Sequence, residues 1–318
     1  PANDSISMTL KNSLTTTVAT FAASETITLN GRILDRDHKV YRHLENLHQQ
    51  LAHTETAPLS ISSQNNFPMG CGIASSASGM GALTLAALGT WLDCASFADF
   101  EKKGLSRQRL AHLARMGSGS ASRSFWGGYV LWERIDDACC LEPLFPENHW
   151  PLADVIIVID ESEKSVSSSQ GHRSAWTSLL YPARLQGLPP RVHAIREFIR
   201  AKNFHALGAL IEQDALDMHA VMMSSVPPLH YLTQETSEML GWIREQRHLD
   251  NLPGYFTLDA GPNIHLLCEP ENLSKVVNYL REHKPQYQLL IDETGNGPTI
   301  EKTSHAFITT EDSLAQSL

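Results

Sequence analysis

The chain has 318 residues, 42% of them hydrophobic and 19% charged, with a formal net charge of −10. That length suffices for a large buried core and predicts one bilobed unit or two domains. The acidic balance argues against nucleic acid or an anionic membrane as main partner, though a local cluster of basic residues can still hold a small anionic substrate. No apolar run approaches a membrane span and no secretory leader is visible.

The five cysteines, Cys71, Cys94, Cys139, Cys140 and Cys268, are an odd number without metal-finger spacing. The adjacent pair Cys139-Cys140 lies in an apolar run and is expected as reduced core thiols, which favours a cytoplasmic location. None of the 15 histidines falls into a ligand spacing such as HExxH, so most are expected on the surface or in helices.

Residues 5–34 hold three strand candidates, SISMTL, TTTVATF and ETITLNG, with a turn at Asn30-Gly31. Val40, Leu44, Leu47 and Leu51 predict a helix over 38–52. The alternating run Pro58–Ser62 predicts a strand, and the glycine- and serine-rich stretch 65–79, NNFPMGCGIASSASG, leads from it into an apolar helix expected to end at Gly89. A strand, a loop with Gly70 and Gly72, and small residues opening a helix can cradle an anion on free backbone N–H groups, with Ser75 and Ser76 adding hydroxyl donors. The same composition fits a tight loop ahead of a core helix equally well.

Leu110 and Leu113 mark a short amphipathic helix over 107–116, and SFWGGYVLWE, residues 124–133, predicts a returning strand. Between them, GSGSASRS at 117–124 is a second anion-friendly loop. The guanidinium fork of Arg123 can bind a carboxylate or phosphate through two bonds at once; taken alone, Arg123 reads as a helix cap or surface ion pair. DVIIVID at 154–160 predicts a strand covered on both faces. KSVSSSQGH at 164–172 opens a helix expected to run through Leu180, with its serines readable as caps. Helical periodicity follows at 191–201 and 203–223, stopped by Pro227-Pro228, with His219 inside the second helix as a structural residue. GYFTLDAGPNIHLLC at 254–268 reads as strand, turn, strand. Asp259 in that turn is explained by turn hydrogen bonding or, alternatively, as a carboxylate facing a cleft. A helix over 271–283, a strand near Gln288–Ile291 and a polar end complete the chain, with strands clustered before helices.

The first loop is neither a Walker loop nor a dinucleotide fingerprint. Its pattern Pro-x-Gly-x-Gly-x-Ala-Ser-Ser-Ala, from Pro68 to Ala77, resembles the ATP-binding motif of the GHMP kinase superfamily. NNFPMGCGIASSASGMGAL resembles the diphosphomevalonate decarboxylases more closely still, with Met69 and Cys71 where smaller residues are usual. ARMGSGSASRSFWGGYVLW is similar to that family's second signature, with Ser122 in place of cysteine. The segment from Lys164 to His172 resembles its third, with Ser169 for threonine or arginine and His172 for methionine, and Asp-Ala-Gly-Pro-Asn at 259–263 reproduces its fourth. EQDALDMHAVMMSSVPPLHY resembles the family too, as does the opening PANDSISMTL, with Asp4 for serine. Family members carry a Lys-Tyr-Trp-Gly-Lys-like strand ahead of that opening, and the expectation is that it lies upstream of Pro1 or that activity is impaired.

The resemblance implies an α+β GHMP fold. An N-terminal ATP-binding domain, 1–162, would resemble ribosomal protein S5 domain 2; a C-terminal domain, 163–318, would be ferredoxin-like, with the active-site cleft between them. It implies ATP-dependent decarboxylation of mevalonate 5-diphosphate, with Mg2+, by a cytoplasmic homodimer that engages neither nucleic acid nor membrane. Carried over residue by residue, Asp259 and Arg123 would be catalytic, and Ser118, Gly119, Ser120, Arg123, Ser168 and Ala260 would bind substrate. Asn65, Asn66, Pro68, Gly70, Cys71, Gly72, Ile73, Ala74, Ser75 and Ser76 would bind ATP, with Ser75 at the metal. Alternatives left open by the sequence are action on mevalonate 5-phosphate, a kinase that stops at the 3-phosphate, and a non-catalytic nucleotide-binding homologue.

Overall fold

In a computed structural model, residues 3–51, 56–68, 75–135, 138–162, 168–302 and 307–309 are described. Their chain path divides into two compact units, one of residues 1–12, 68–73 and 128–295, the other of 13–67, 74–127 and 296–318.

The second unit is built on a six-stranded sheet. Its strands are β2 (Thr15–Phe21), β3 (Thr26–Leu29), β4 (Arg32–Ile33), β5 (Leu59–Asn65), β12 (Glu301–Lys302) and β13 (Phe307–Thr309), in the order β12-β13-β2-β5-β3-β4. Among the described residues only β3 and β5 pair in parallel. Thr15, Thr17 and Ala19 of β2 and Leu59, Ile61 and Ser63 of β5 face inward, the period-two alternation that assigned both strands. The Asn30-Gly31 turn forms as expected, with φ of 49° and 77° at the two residues.

Helix α1 (Lys39–Gln50) and helix α2 (Ser75–Leu92) belong to this unit. From Met80 to Trp91 every residue of α2 is buried, so the helix is apolar all round rather than striped. It does not end at Gly89 but runs one turn further, to Leu92. Gly89 is buried within it, and the left-handed position that stops the helix falls on Asp93, at φ 51°. The short helix α3 (Phe97–Lys102) went unpredicted although Ser96 and Asp99 form a reciprocal cap, with the Asp99 N–H donating to Ser96 Oγ at 3.2 Å. Helix α4 (Arg107–Gly117) matches its periodicity, with Leu110, Ala111, Leu113 and Ala114 inward.

The other unit contains two antiparallel sheets. One has the order β1-β6-β7, from Ser5–Met8, Tyr129–Ile135 and Ala138–Phe145. β6 starts five residues later than the aromatic run suggested. Residues 121–125 form a 3-10 turn instead, and Gly128 has φ 69°, with any Cβ only 2.2 Å from the Phe145 carbonyl. The strand β7 was not anticipated, and within it Cys140 is half-buried rather than a core thiol; the side chain of Cys139 lies outside the description. Cys94 and Cys268 are buried free thiols.

The four-stranded sheet has the order β11-β8-β10-β9, from Gln288–Glu293, Ala153–Val158, Ile264–Cys268 and Tyr255–Thr257. Every residue of β8 is buried, as its unbroken apolar run predicted. Val155, Ile157, Phe256, Leu266, Val276, Leu280 and Ile243 meet in one core. Around it lie α7 (Phe204–Met223), α8 (Gln234–His248) and α9 (Leu273–His283), of which α8 was not anticipated.

Two helices differ from expectation. The segment opening near Lys164 does not reach Leu180: α5 covers Ser168–Ser174, a 3-10 turn follows at 175–177, and α6 (Tyr181–Ala201) starts anew. α6 also begins ten residues before the predicted Arg191, because it passes through Pro189 and Pro190. Tertiary ion pairs hold it across that interruption. Arg184 before the prolines and Arg191 after them both bind Asp214 and Asp217 of α7, at 2.6 to 3.2 Å. Local preference against interior proline, about 3 kcal/mol, is thereby overridden.

Candidate active site

In the second unit, the ends of β5 and α4 are brought to the first turn of α2. Thr15 Oγ1 donates to Asn65 Oδ1 at 2.6 Å and lies 2.7 Å from Ser78 Oγ, tying the end of β5 to α2. Asn66 Oδ1 accepts from the Leu14 N–H at 2.8 Å. The amide oxygens of Asn65 and Asn66 therefore shape the loop's entry, a job that the sequence pattern did not distinguish from ligand binding. Pro68 is half-buried, while Gly70, Cys71, Gly72, Ile73 and Ala74 lie outside the described residues. Ser75 and Ser76 open α2, half-buried and exposed respectively, and the positive end of a helix dipole favours an anion at such a position.

The second predicted loop comes to the same place. Ser76 Oγ lies 3.3 Å from Ser118 Oγ, which is itself 3.3 Å from Ser120 Oγ. Two sequence segments more than 40 residues apart thus present one row of hydroxyls. Gly119 is exposed, and a Cβ there would meet nothing within 4 Å. In the turn that follows, Ala121, Ser122 and Phe125 are fully buried. Arg123 and Ser124 are half-buried on the turn's other side. The turn packs on α2 at Gly81, where a Cβ would make ordinary contact with Ser124 Cβ at 3.6 Å and Phe125 at 3.8 Å. Arg123 is thus carried by a turn whose buried residues anchor it.

Beneath this loop sits a histidine that the sequence did not single out. Thr84 Oγ1 gives its proton to the Met80 carbonyl at 2.7 Å, so His43 Nε2, 2.8 Å away, must donate to Thr84. His43 Nδ1 is buried without a partner among the described residues, and burial lowers the ring's pKa to about 4. A Cβ on Gly117, the residue before Ser118, would sit 2.8 Å from the His43 ring and from Met80 Sδ. Glycine at 117 is required by that close approach.

In the first unit, the Asp259–Asn263 turn is fixed at nearly every residue except its first side chain. Asn263, buried, accepts from the Ile159 and Asp160 N–H groups at 2.7 and 3.1 Å and donates to the Asp160 carbonyl at 3.1 Å. Thr236 Oγ1, at the start of α8, donates to the Pro262 carbonyl at 2.8 Å. The Asp259 carbonyl accepts from the Gly261 N–H at 2.9 Å and from His219 Nε2 at 3.2 Å. The Asp259 side chain remains exposed and Ala260 is half-buried. Such a mount presents a carboxylate with its backbone immobilised, which is what a positioned acid or base needs. Ser168 is the first residue of α5; its side chain lies outside the description.

Among the described residues, no group of three or more His, Cys, Asp or Glu could hold a metal ion. α2 has no acidic residue in its first turn, so the local donor set there is hydroxyls and backbone N–H groups. That set fits Mg2+ held largely by phosphate oxygens and water, the common arrangement at nucleotide sites. No helix among the described residues is long and apolar enough to cross a membrane.

Residues 1–140 match the diphosphomevalonate decarboxylase-like N-terminal domain, and residues 154–315 match the mevalonate 5-diphosphate decarboxylase C-terminal domain. A diphosphomevalonate decarboxylase of Ganoderma lucidum is 32% identical over 267 residues, which are 80% of this chain and 64% of that protein. A solved structure described as MDDEF in complex with MVAPP, AMPPCP and magnesium superposes with a TM-score of 0.81 at 35% identity, covering 93% of this chain and 90% of the other. The mevalonate diphosphate decarboxylase of Enterococcus faecalis gives 0.81 at 33% identity, covering 95% and 91%. With both domains matched and the fold that of two-domain GHMP kinase structures, the chain belongs to the diphosphomevalonate decarboxylase family.

Proposed function

We propose that this protein catalyses ATP-dependent decarboxylation of mevalonate 5-diphosphate, giving isopentenyl diphosphate, ADP, phosphate and CO2. The observation that carries the reading is the fixed Asp259 turn, whose exposed carboxylate is the part of that motif not used in holding it. The binding of MVAPP, AMPPCP and magnesium by a related structure supports the choice of substrate, nucleotide and ion.

The tertiary 3-hydroxyl is a poor leaving group, so ATP first converts it to a phosphate ester. Asp259 orients that hydroxyl and takes its proton as the oxygen attacks the γ-phosphorus. The C3–O bond to phosphate then breaks and positive charge builds at C3. The electrons of the bond to the carboxylate collapse toward C3, forming the alkene and releasing CO2. Arg123 holds that carboxylate with its breaking bond aligned to the departing phosphate. Ser118, Gly119 and Ser120 take the substrate diphosphate, joined by Ser168, while Ala260 contacts substrate beside the catalytic carboxylate. The nucleotide takes Asn65, Asn66, Pro68 and the run from Gly70 to Ser76, whose backbone N–H groups offset the phosphate charge. Ser75 would hold Mg2+, which neutralises charge on the ATP phosphates when bound.

The proposed functional division is 1–162 for the nucleotide and 163–318 for the second domain, with family matches over 1–140 and 154–315 in support of two parts. Buried free thiols at Cys94 and Cys268 support a reducing, cytoplasmic setting, and a homodimer is the proposed assembly, to be read by sedimentation. The test of function is release of CO2 and ADP from ATP with mevalonate 5-phosphate and 5-diphosphate side by side. Equal amounts of ADP and CO2 from the diphosphate are expected. ADP without CO2 makes the protein a kinase, and preference for the monophosphate reassigns its substrate.

A further inference from the structure

His219, which the sequence leaves as a core histidine, sits between the two substrate-facing elements of the first unit. Its Nε2 is 3.2 Å from the Asp259 carbonyl, and since a carbonyl only accepts, Nε2 carries the proton. Nδ1 is then bare, and it is buried with no partner among the described residues. Burial lowers the ring's pKa to about 4 against the pull of the Asp259 carboxylate and with the push of Arg184, so the ring is neutral in the working range. Its other neighbour is the Tyr231 ring, edge-on at 6.3 Å and 80°. Tyr231 in turn presses on α5: a Cβ on Gly171 would come within 2.7 Å of the Tyr231 hydroxyl oxygen and 3.6 Å of Met222 Sδ. Ala175, Val221, Met222, Leu229 and Tyr231 form one small core, against which Ala260 packs.

We infer that His219 and Tyr231 are positioning residues that set the Asp259 turn in register with α5, the helix that Ser168 opens. The inference rests on the catalytic reading of Asp259. Any buried imidazole N–H needs an acceptor, so what sets this one apart is which acceptor it meets and how its edge-on neighbour is accommodated. Here the ring donates to the very residue that carries the carboxylate, and Gly171 admits the tyrosine that supports the ring. A displacement of about 1 Å in such a turn can cost about 100-fold in rate without any loss of substrate contact.

The test compares His219→Leu, His219→Gln, Gly171→Ala and Asp259→Asn for kcat, KM for mevalonate 5-diphosphate, ATP affinity and Tm. His219→Leu should lower kcat about 10- to 100-fold with ATP affinity within about 2-fold, because an orientation is lost and not a binding contact. His219→Gln, which can place an amide N–H where Nε2 was, should recover to within about 3-fold of the parent. Gly171→Ala keeps the ring and displaces Tyr231; it should lower kcat at least about 5-fold and answers the question if His219→Leu does not fold. Parental kcat in both His219→Leu and Gly171→Ala overturns the inference, as does equal impairment of the Leu and Gln variants in step with Tm. If Asp259→Asn turns over normally, the catalytic reading fails instead. Loss confined to Asp259→Asn refutes only the positioning role.

Discussion

Lowering the pH from about 7.5 to about 5 should destabilise this protein through two buried histidines, by an amount that follows from their folded pKa values. His43 and His219 each have a pKa lowered from 6.5 to about 4 by burial. Because the folded value is depressed, both rings are neutral in folded and unfolded chains above 6.5, and no stability is lost there. As the pH falls from 6.5 toward 4, the unfolded chain takes up protons that the folded chain refuses, and stability drains away. At about pH 5 each ring contributes a loss of about 2 kcal/mol, or about 4 kcal/mol together, a large share of a domain's usual margin. The assay is urea unfolding at both pH values for the parent, His43→Gln, His219→Gln and the double variant. Glutamine can keep the donated N–H to Thr84 or Asp259 while removing the titration. The double variant should lose about 4 kcal/mol of pH sensitivity relative to the parent, half of it in each single variant. Equal pH sensitivity in parent and double variant would refute the argument, because every other titrating group is common to both.

The hydroxyl row supplies a second prediction. Gly117→Ala places a Cβ 2.8 Å from the His43 ring and should cost about 1–3 kcal/mol while raising KM for the diphosphate. Removing the ring with His43→Ala in the same chain should relieve part of that cost, read as a double-mutant cycle of Tm and KM. Arg123→Lys keeps the charge and loses the fork, so kcat/KM should fall about 10-fold or more with ATP affinity unchanged, measured by CO2 release. Glu212 is buried and accepts from Arg244, Arg247 and the Phe256 N–H. Glu212→Ala should therefore lower stability by about 3 kcal/mol in urea titrations, the cost of leaving two guanidinium groups without their carboxylate.

Elements with a clear period were legible in the sequence. The alternation of β2 and β5, the unbroken β8 and the stripe of α4 all stand where their patterns placed them. Failures came where local preference yielded to distant partners. Nothing local tells that Pro189-Pro190 lie inside α6, because the Arg184 and Arg191 pairs that hold the helix together reach to α7. Gly89 read as a helix stop, although a small buried residue suits a helix enclosed on all sides. Gly128 could have corrected the start of β6, since paired glycines inside an aromatic run signal a left-handed or crowded backbone.

Of the site, the motif residues could be named but not their division of labour. Asn65 and Asn66 are expected at ATP, and no motif reveals that their amide oxygens also bind Thr15 and the Leu14 N–H. His219 was legible as a structural residue and His43 was not, and for neither does a single histidine at helical spacing mark which group it will meet. The pairing of Ser76 with Ser118 is likewise a tertiary fact. A reader of the sequence could have suspected Asn263 and Gly117, whose neighbours in the motifs were already singled out.

Asp259 is the residue proposed to perform acid/base chemistry on a hydroxyl in an ATP-dependent decarboxylation. That role is read out by simultaneous measurement of CO2 and ADP release from mevalonate 5-diphosphate by the parent protein and by Asp259→Asn. The parent should release the two in equal amounts, and the variant should lose about 10²- to 10⁴-fold in rate while still binding ATP. Normal turnover by the Asp259→Asn variant would contradict the claim.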